Sequence, residues 1–137
     1  MTNTASTQQR VSDSRQRRRE AELALAVEVS NLLNRNESEG LCWQGSKVDL
    51  MEALYTAFTT GYITNEANGL GMSFCSIVAR ACRVLHVTAP HNPSSMARRG
   101  ASRKSIVSRP YIETYERMRF NQGIDSPLGQ KIGLSCP

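Results

Sequence analysis

The sequence predicts a mainly α-helical fold: a small helical bundle with a three-helix core of the helix-turn-helix or winged-helix kind and an extra amino-terminal helix. Three observations support this prediction. Apolar residues recur at the spacing of one helix face in several segments of the 137-residue chain. Residues that cap helices stand directly before most of these segments. Alternating patterns typical of strands are few, and the length suits one domain.

The first predicted element is an amino-terminal helix over residues 14–36. Its apolar residues lie at i, i+4, i+7 and i+8 and therefore share one face: Leu25, Val29, Leu32 and Leu33. Residues 1–13 are rich in polar side chains and are expected to form a disordered tail. The polar residues from Asn34 to Gly40 end the helix and lead into the main unit, residues 41–120.

The main unit begins with the clearest local signal in the chain. The apolar stretch Leu41–Trp43 is predicted to be extended. Ser46 and Asp49, three residues apart, form a capping box that predicts a helix over residues 46–60. The apolar stripe of that helix consists of Leu50, Met51, Leu54, Tyr55 and Phe58. Gly61 ends it.

Two further helices complete the predicted three-helix core. One begins at Ser73, covers residues 73–86, and has an apolar stripe formed by Phe74, Ile77, Val78, Ala81 and Leu85. The other covers residues 109–119 and carries Tyr111, Ile112, Tyr115 and Met118. Between them, Asn92 and Pro93 predict the start of a short helix that runs to Arg99. Residues 121–137 show no periodicity and are expected to be a loose tail.

Catalytic and metal-binding motifs are absent from the sequence. There is no phosphate-binding loop, and the run from Gly69 to Gly71 lacks the third glycine of a dinucleotide site. Cys82 and His86 lie at i and i+4, but Cys82 lies beside an apolar face, where a thiol is inert. We therefore expect no enzyme, no metal, no cofactor and no small-molecule substrate.

The cysteines and the hydropathy indicate a cytoplasmic protein. The spacings among Cys42, Cys75, Cys82 and Cys136 do not match a zinc site. Cys75 and Cys82 lie in an apolar helical stretch and are expected to be small core residues, with all thiols reduced. No apolar run reaches the roughly 18–20 residues of a membrane span. The first 19 residues lack the apolar part of a secretory signal.

The positive charge is concentrated in one region. The net charge is +5, yet residues 67–112 contain seven Lys or Arg residues and no acidic residue. By contrast, residues 10–19 carry a net charge of +4 and residues 20–39 a net charge of −4. A block without carboxylates favours a polyanionic partner, because each Lys or Arg can release a counterion from a phosphate.

These features predict binding to double-stranded DNA. A trio of helices can place one helix in the major groove while its neighbours contact the backbone, although the 12-residue connection between the first two predicted helices exceeds a tight turn. On the second core helix, Arg80 and Arg83 are the candidates for reaching base edges. The candidates for phosphate contacts are Arg98, Arg99, Arg103, Lys104 and Arg109.

One stretch also carries a family resemblance. It runs from Trp43 to Phe58, WQGSKVDLMEALYTAF, and Gly61 and Ile63 follow it. It resembles the carboxy-terminal helical domain of the RteC family, whose members regulate conjugative transposons. Arg103-Lys104 and the run from Arg109 to Tyr115 follow in the family's order, so the resemblance covers about residues 41–119. It implies a DNA-binding transcriptional regulator associated with a mobile genetic element.

Two other functions are consistent with the sequence. The apolar stripe of the amino-terminal helix could pair with a second copy, as a homodimer, or could dock a partner protein. The arginine-rich segment from Arg15 to Arg19 is of the kind that binds RNA, although the chain lacks aromatic pairs for stacking on bases. An affinity for a protein that does not depend on salt would favour dimerisation or partner docking. A preference for RNA hairpins over duplex DNA would favour RNA binding.

Overall fold

The computed structural model describes residues 3–65, 68–102 and 110–134, with side chains from residue 13 onward. The described part contains five α-helices: α1 (Asn3–Leu33), α2 (Lys47–Thr59), α3 (Phe74–Leu85), α4 (Pro93–Ala101) and α5 (Tyr111–Glu116). A short antiparallel ribbon joins β1 (Cys42–Trp43) to β2 (Ile132–Gly133). The predicted mainly α-helical bundle is confirmed.

Helix α1 belongs to the centre of the core and is not an appendage. The predicted stripe of Leu25, Val29, Leu32 and Leu33 is buried against α2, α3 and α5. The helix begins at Asn3, so it also includes residues expected to be a disordered tail. Because the chain buries this stripe itself, the stripe cannot serve as the dimer or partner surface that the sequence suggested.

Helix α2 begins where its cap predicts. The Ser46 hydroxyl accepts a hydrogen bond from the Asp49 N–H at 3.1 Å. Trp43 is buried beside this helix start, and its indole N–H donates to the Ser46 carbonyl at 2.8 Å. A side chain at Gly45 would meet the Trp43 ring at 3.1 Å, so a glycine lets the indole lie across the turn. Trp43 and Gly45 therefore shape the turn that leads into α2.

Helices α3 and α4 pack on α2 through different contacts. The Phe74 ring, at the start of α3, lies 5.2 Å from Tyr55 and 5.8 Å from Phe58, centroid to centroid. The contact with α4 is polar: Glu52 is only 5% exposed, and a side chain at Gly100 would meet its Cδ atom at 2.4 Å. The Glu52 carboxylate also accepts from the Tyr111 N–H at 3.1 Å, which fixes the start of α5.

The carboxy-terminal segment is packed into the fold, so the expected loose tail is wrong for residues 121–134. Five residues after α5 continue as a π-helical turn, Arg117–Asn121, and Leu128–Lys131 form a 3₁₀ turn before β2. Glu28 of α1 holds this region. Its carboxylate accepts from the Tyr115 hydroxyl at 2.5 Å and from the backbone N–H groups of Leu128 and Gly129, both at 3.3 Å.

These four residues, Glu28, Tyr115, Leu128 and Gly129, are called the Glu28 cluster below. Tyr115 and Leu128 are almost completely buried. Burial, together with the hydrogen bond to the Glu28 carboxylate, raises the pKa of Tyr115 far above its ordinary value. The sequence could not show this arrangement, because its partners lie about a hundred positions apart in the chain.

Two expectations about the cysteines are wrong. Cys42 is disulfide-bonded, so not every thiol is reduced. Cys75 is an exposed free thiol, whereas Cys82 is buried as predicted. Cys136 lies outside the described residues. Strand pairing sets Cys42 opposite Gly133, and this proximity between distant parts of the chain could not be inferred from the spacing of the cysteines.

Candidate nucleic-acid interface

The solvent-facing side of α3 carries the two arginines predicted to approach base edges. Seven of its twelve residues are buried and define the opposite side. The exposed residues recur at helical spacing along one side of the helix and its cap: Cys75, Ser76, Ala79, Arg80, Arg83 and His86. This set is called the α3 face below. Its first half carries only small side chains, so the backbone there is open to close approach.

Arg80 and Arg83 are neighbours on this face, because residues at i and i+3 lie side by side on a helix. Neither forms an ion pair with any residue of the described ranges. Arg80 also lines a cleft of about 200 Å³ with Asn34 of the α1 end and Tyr62. Tyr62 belongs to a hairpin in which Thr64 pairs with Gly71. The run from Gly69 to Gly71 is therefore a turn, as predicted.

His86 fixes the carboxy-terminal end of α3. It caps the helix with a φ of 58°, and among the described residues other than glycine it alone has a positive φ. Its Nδ1 lies 2.8 Å from the Leu41 carbonyl oxygen. Since a carbonyl only accepts, the proton of this bond belongs to Nδ1. The α3 face is thus anchored to the segment directly before β1.

Arg98 and Arg99, predicted to contact phosphates, lie on α4. Both are exposed, and with Ser95 and Ser102 they line a cleft of about 450 Å³. The helix begins at Pro93 and its cap is Asn92, whose side chain accepts from the Ser95 N–H at 3.3 Å. No ion pair joins either arginine to the parts of the chain that the structure describes.

The other three predicted phosphate contacts cannot be placed in this surface. Arg103, Lys104 and Arg109 lie outside the described residues. The structure thus brings four of the seven predicted residues onto two helices, α3 and α4, that both pack on α2. It does not describe where the other three lie.

Two arginines of α1 have partners within the protein, and the sequence did not indicate this. The Arg18 guanidinium donates to the Glu116 carboxylate at 2.8 Å. Arg17 donates to the Asn121 side chain and lies over the Phe120 ring at 5.2 Å. Both arginines therefore hold the segment that follows α5 against α1. These contacts could not be inferred from the sequence, because the partner residues lie some hundred positions further along the chain.

Cys82 and His86 lie in different surroundings. Burial raises the pKa of the Cys82 thiol, which disfavours the reactive thiolate. His86 uses Nδ1 for its bond to Leu41. No group of three His, Cys, Asp or Glu side chains in the described ranges could hold a metal ion. Within those ranges, no helix is long and apolar enough to cross a membrane.

Comparison with known proteins identifies no relative. No family model, no curated protein and no solved structure matches the chain. The resemblance to the RteC family therefore remains a prediction based on the stretch from Trp43 to Phe58. The residues of that stretch have structural roles in this fold, since Trp43, Gly45 and Ser46 shape the entry to α2.

Proposed function

We propose that this protein binds double-stranded DNA and acts as a small transcriptional regulator. The observation that carries the proposal is the α3 face. Its arginines, Arg80 and Arg83, are exposed, make no ion pair with the described residues, and lie in a 46-residue block that contains no acid. Free guanidinium groups suit both phosphate oxygens and guanine edges.

The dimensions of α3 support this use. Twelve residues make a helix of about 18 Å, and the major groove is about 12 Å wide and admits one helix. The small side chains of Cys75, Ser76 and Ala79 would let the first half of α3 approach the base edges. Arg80 and Arg83 would then reach bases or flanking phosphates from its second half.

The arginines of α4 would add contacts that position the protein without reading sequence. Arg98 and Arg99 are exposed and unpaired within the described ranges. Arg103, Lys104 and Arg109 follow in the same acid-free block and are proposed as further phosphate contacts. Such contacts fix orientation on the duplex and make the affinity steeply dependent on salt. The association with a mobile genetic element rests on the RteC resemblance alone.

The test is the salt dependence of duplex DNA binding. Replacing Arg80 and Arg83 together by Gln should lower the affinity at least tenfold, and each of the two that contacts a phosphate should flatten the slope of log K against log salt by roughly 0.9 when it is removed. The matched control is Arg117→Gln with Lys131→Gln, which removes the same charge from two exposed side chains after α5 that form no ion pair with the described residues. Equal losses of affinity in the two variants would disprove the assignment of α3.

A second candidate function, docking of a protein partner or a second copy, has one observation in its favour. Leu23 and Val27 are 50% and 36% exposed and lie one turn apart on the outer side of α1. Such an association would be nearly insensitive to salt, unlike binding to DNA. Sedimentation at low and high salt therefore separates the two functions.

A further inference from the structure

A second basic surface lies on the amino-terminal half of α1, apart from the α3 face. Arg15, Arg18 and Arg19 line one cleft of about 550 Å³ together with Ser14 and Glu116. The cleft is shallow and largely open to solvent, so a ligand there would be held by charge and hydrogen bonds. Arg18 of this cleft and Ser30, which lines the cleft at Arg80, are separated by about 18 Å along the axis of α1.

The charges within this cleft do not cancel. Among the described residues that line the cleft, Glu116 is the only acidic one, and it already forms an ion pair with the Arg18 guanidinium at 2.8 Å. Arg15 and Arg19 are exposed and form no ion pair with the described residues. Three guanidinium groups facing one carboxylate leave the cleft with an excess of two positive charges.

The cleft is also partly pre-organised. Because the Arg18 Nε donates to Glu116, this side chain is held in place while its two terminal nitrogens remain available as donors. Arg15 and Arg19 lie one helical turn apart on the same side of α1, next to the Arg18 side chain. The Ser14 hydroxyl adds a neutral donor. Several guanidinium groups at adjacent positions can donate paired hydrogen bonds to the oxygens of more than one phosphate group.

We propose that this cleft binds a ligand that carries adjacent phosphate groups. Two sources share that chemistry: a free compound with a diphosphate group, and the backbone of a nucleic-acid strand. The proposal does not depend on the proposed function, because it concerns a different set of arginines. If a nucleic acid is the source, the protein has a second contact surface besides the α3 face.

The test is titration with inorganic pyrophosphate at constant ionic strength, followed by amide resonances in NMR. Saturable shifts are expected at the amides of Ser14 to Arg19 and at Glu116. In the variant Arg15→Gln with Arg19→Gln, the affinity should fall at least tenfold. In the charge-matched variant Arg80→Gln with Arg83→Gln, it should change less than twofold. Both variants alter exposed side chains, and circular dichroism checks that they fold.

The outcomes separate this proposal from the previous one. Equal losses in both variants, or the absence of saturable shifts at millimolar pyrophosphate, would overturn the site, whatever the DNA measurements show. If the site is supported, a single-stranded oligonucleotide that displaces pyrophosphate from the same amides identifies a strand as the source. Displacement by a nucleoside diphosphate, without competition by the oligonucleotide, identifies a free diphosphate compound.

Discussion

Arg17 and Arg18 of α1 differ from Arg80 and Arg83 of α3 in what their guanidinium groups contact. Arg17 contacts Asn121 and Phe120 in the segment after α5, and Arg18 contacts Glu116 at the end of α5. On α3, Arg80 and Arg83 form no ion pair with any described residue. The sequence therefore shows how many positive charges a segment carries, whereas the tertiary structure determines how many of those charges are available to a partner.

A local ion pair follows the carboxy-terminal end of α1. Arg35 forms a pair with Glu39 at 2.6 Å. The hydrogen bonds from Arg35 and from the Asn36 backbone lower the pKa of Glu39 to about 2. Near α1, Arg17 and Arg18 have partners because the carboxy-terminal segment folds back on this helix, and Arg35 has one because Glu39 lies one turn further along the chain. The acid-free block contains no carboxylate that could do the same for α3.

The largest expected effect comes from removing the carboxylate that docks the carboxy-terminal segment on α1. Glu28→Ala leaves the buried Tyr115 hydroxyl and the N–H groups of Leu128 and Gly129 without their acceptor. Two of these groups, on Tyr115 and Leu128, are buried, and each unsatisfied buried group costs about 1–3 kcal/mol, so urea unfolding should show a loss of about 3 kcal/mol. Glu20→Ala, on the exposed side of the same helix, is the control and should cost less than about 0.5 kcal/mol. Similar losses would show that the Glu28 cluster does not hold the segment.

The next effect concerns the disulfide at Cys42, in the strand that pairs with the carboxy-terminal segment. Reduction should lower the free energy of unfolding by about 2–4 kcal/mol, as is typical for a native disulfide. A thiol titration of the denatured, unreduced protein should detect two of the four cysteines, because a disulfide consumes two. Detection of all four thiols would show that the disulfide does not form and would restore the expectation of a fully reduced protein.

The smallest expected effect is the difference in stability between a variant that loses a paired arginine and one that loses an unpaired arginine. Arg18→Gln removes a partly exposed ion pair and should cost about 0.5 kcal/mol of stability. Arg80→Gln removes no ion pair and should leave stability unchanged within about 0.3 kcal/mol, while it weakens DNA binding. Unfolding in urea measures both. A loss for Arg80→Gln as large as that for Arg18→Gln would mean that Arg80 serves the fold and not a partner.

The local sequence predicted the helix starts well. Ser46, Ser73 and Asn92 cap α2, α3 and α4 through the bonds that their side chains make to nearby N–H groups. These predictions succeed because donor and acceptor are only three residues apart. The arginines on α3 were also predicted to be exposed, since the apolar stripe of an amphipathic helix defines its opposite side.

Contacts between distant parts of the chain could not be predicted in the same way. The sequence suggested a loose tail after residue 120, yet Leu128 is buried and Glu28 binds its N–H. It suggested that Cys75 is in the core, yet Cys75 faces solvent on the α3 face. The first prediction failed because the partner of Leu128 lies far away in the sequence. The second failed because Cys75 lies at the edge of the apolar stripe of its helix.

By itself, the sequence determined where most helices begin, which side of each is apolar, and which block of the chain lacks acids, because each depends on residues within a few helical turns. The tertiary structure alone decided that α1 lies in the core, that Glu28 binds the carboxy-terminal segment, and that Arg17 and Arg18 have partners. The physical reason is that a carboxylate or guanidinium is satisfied by whichever group the fold brings within hydrogen-bonding distance, and sequence separation carries no information about that distance.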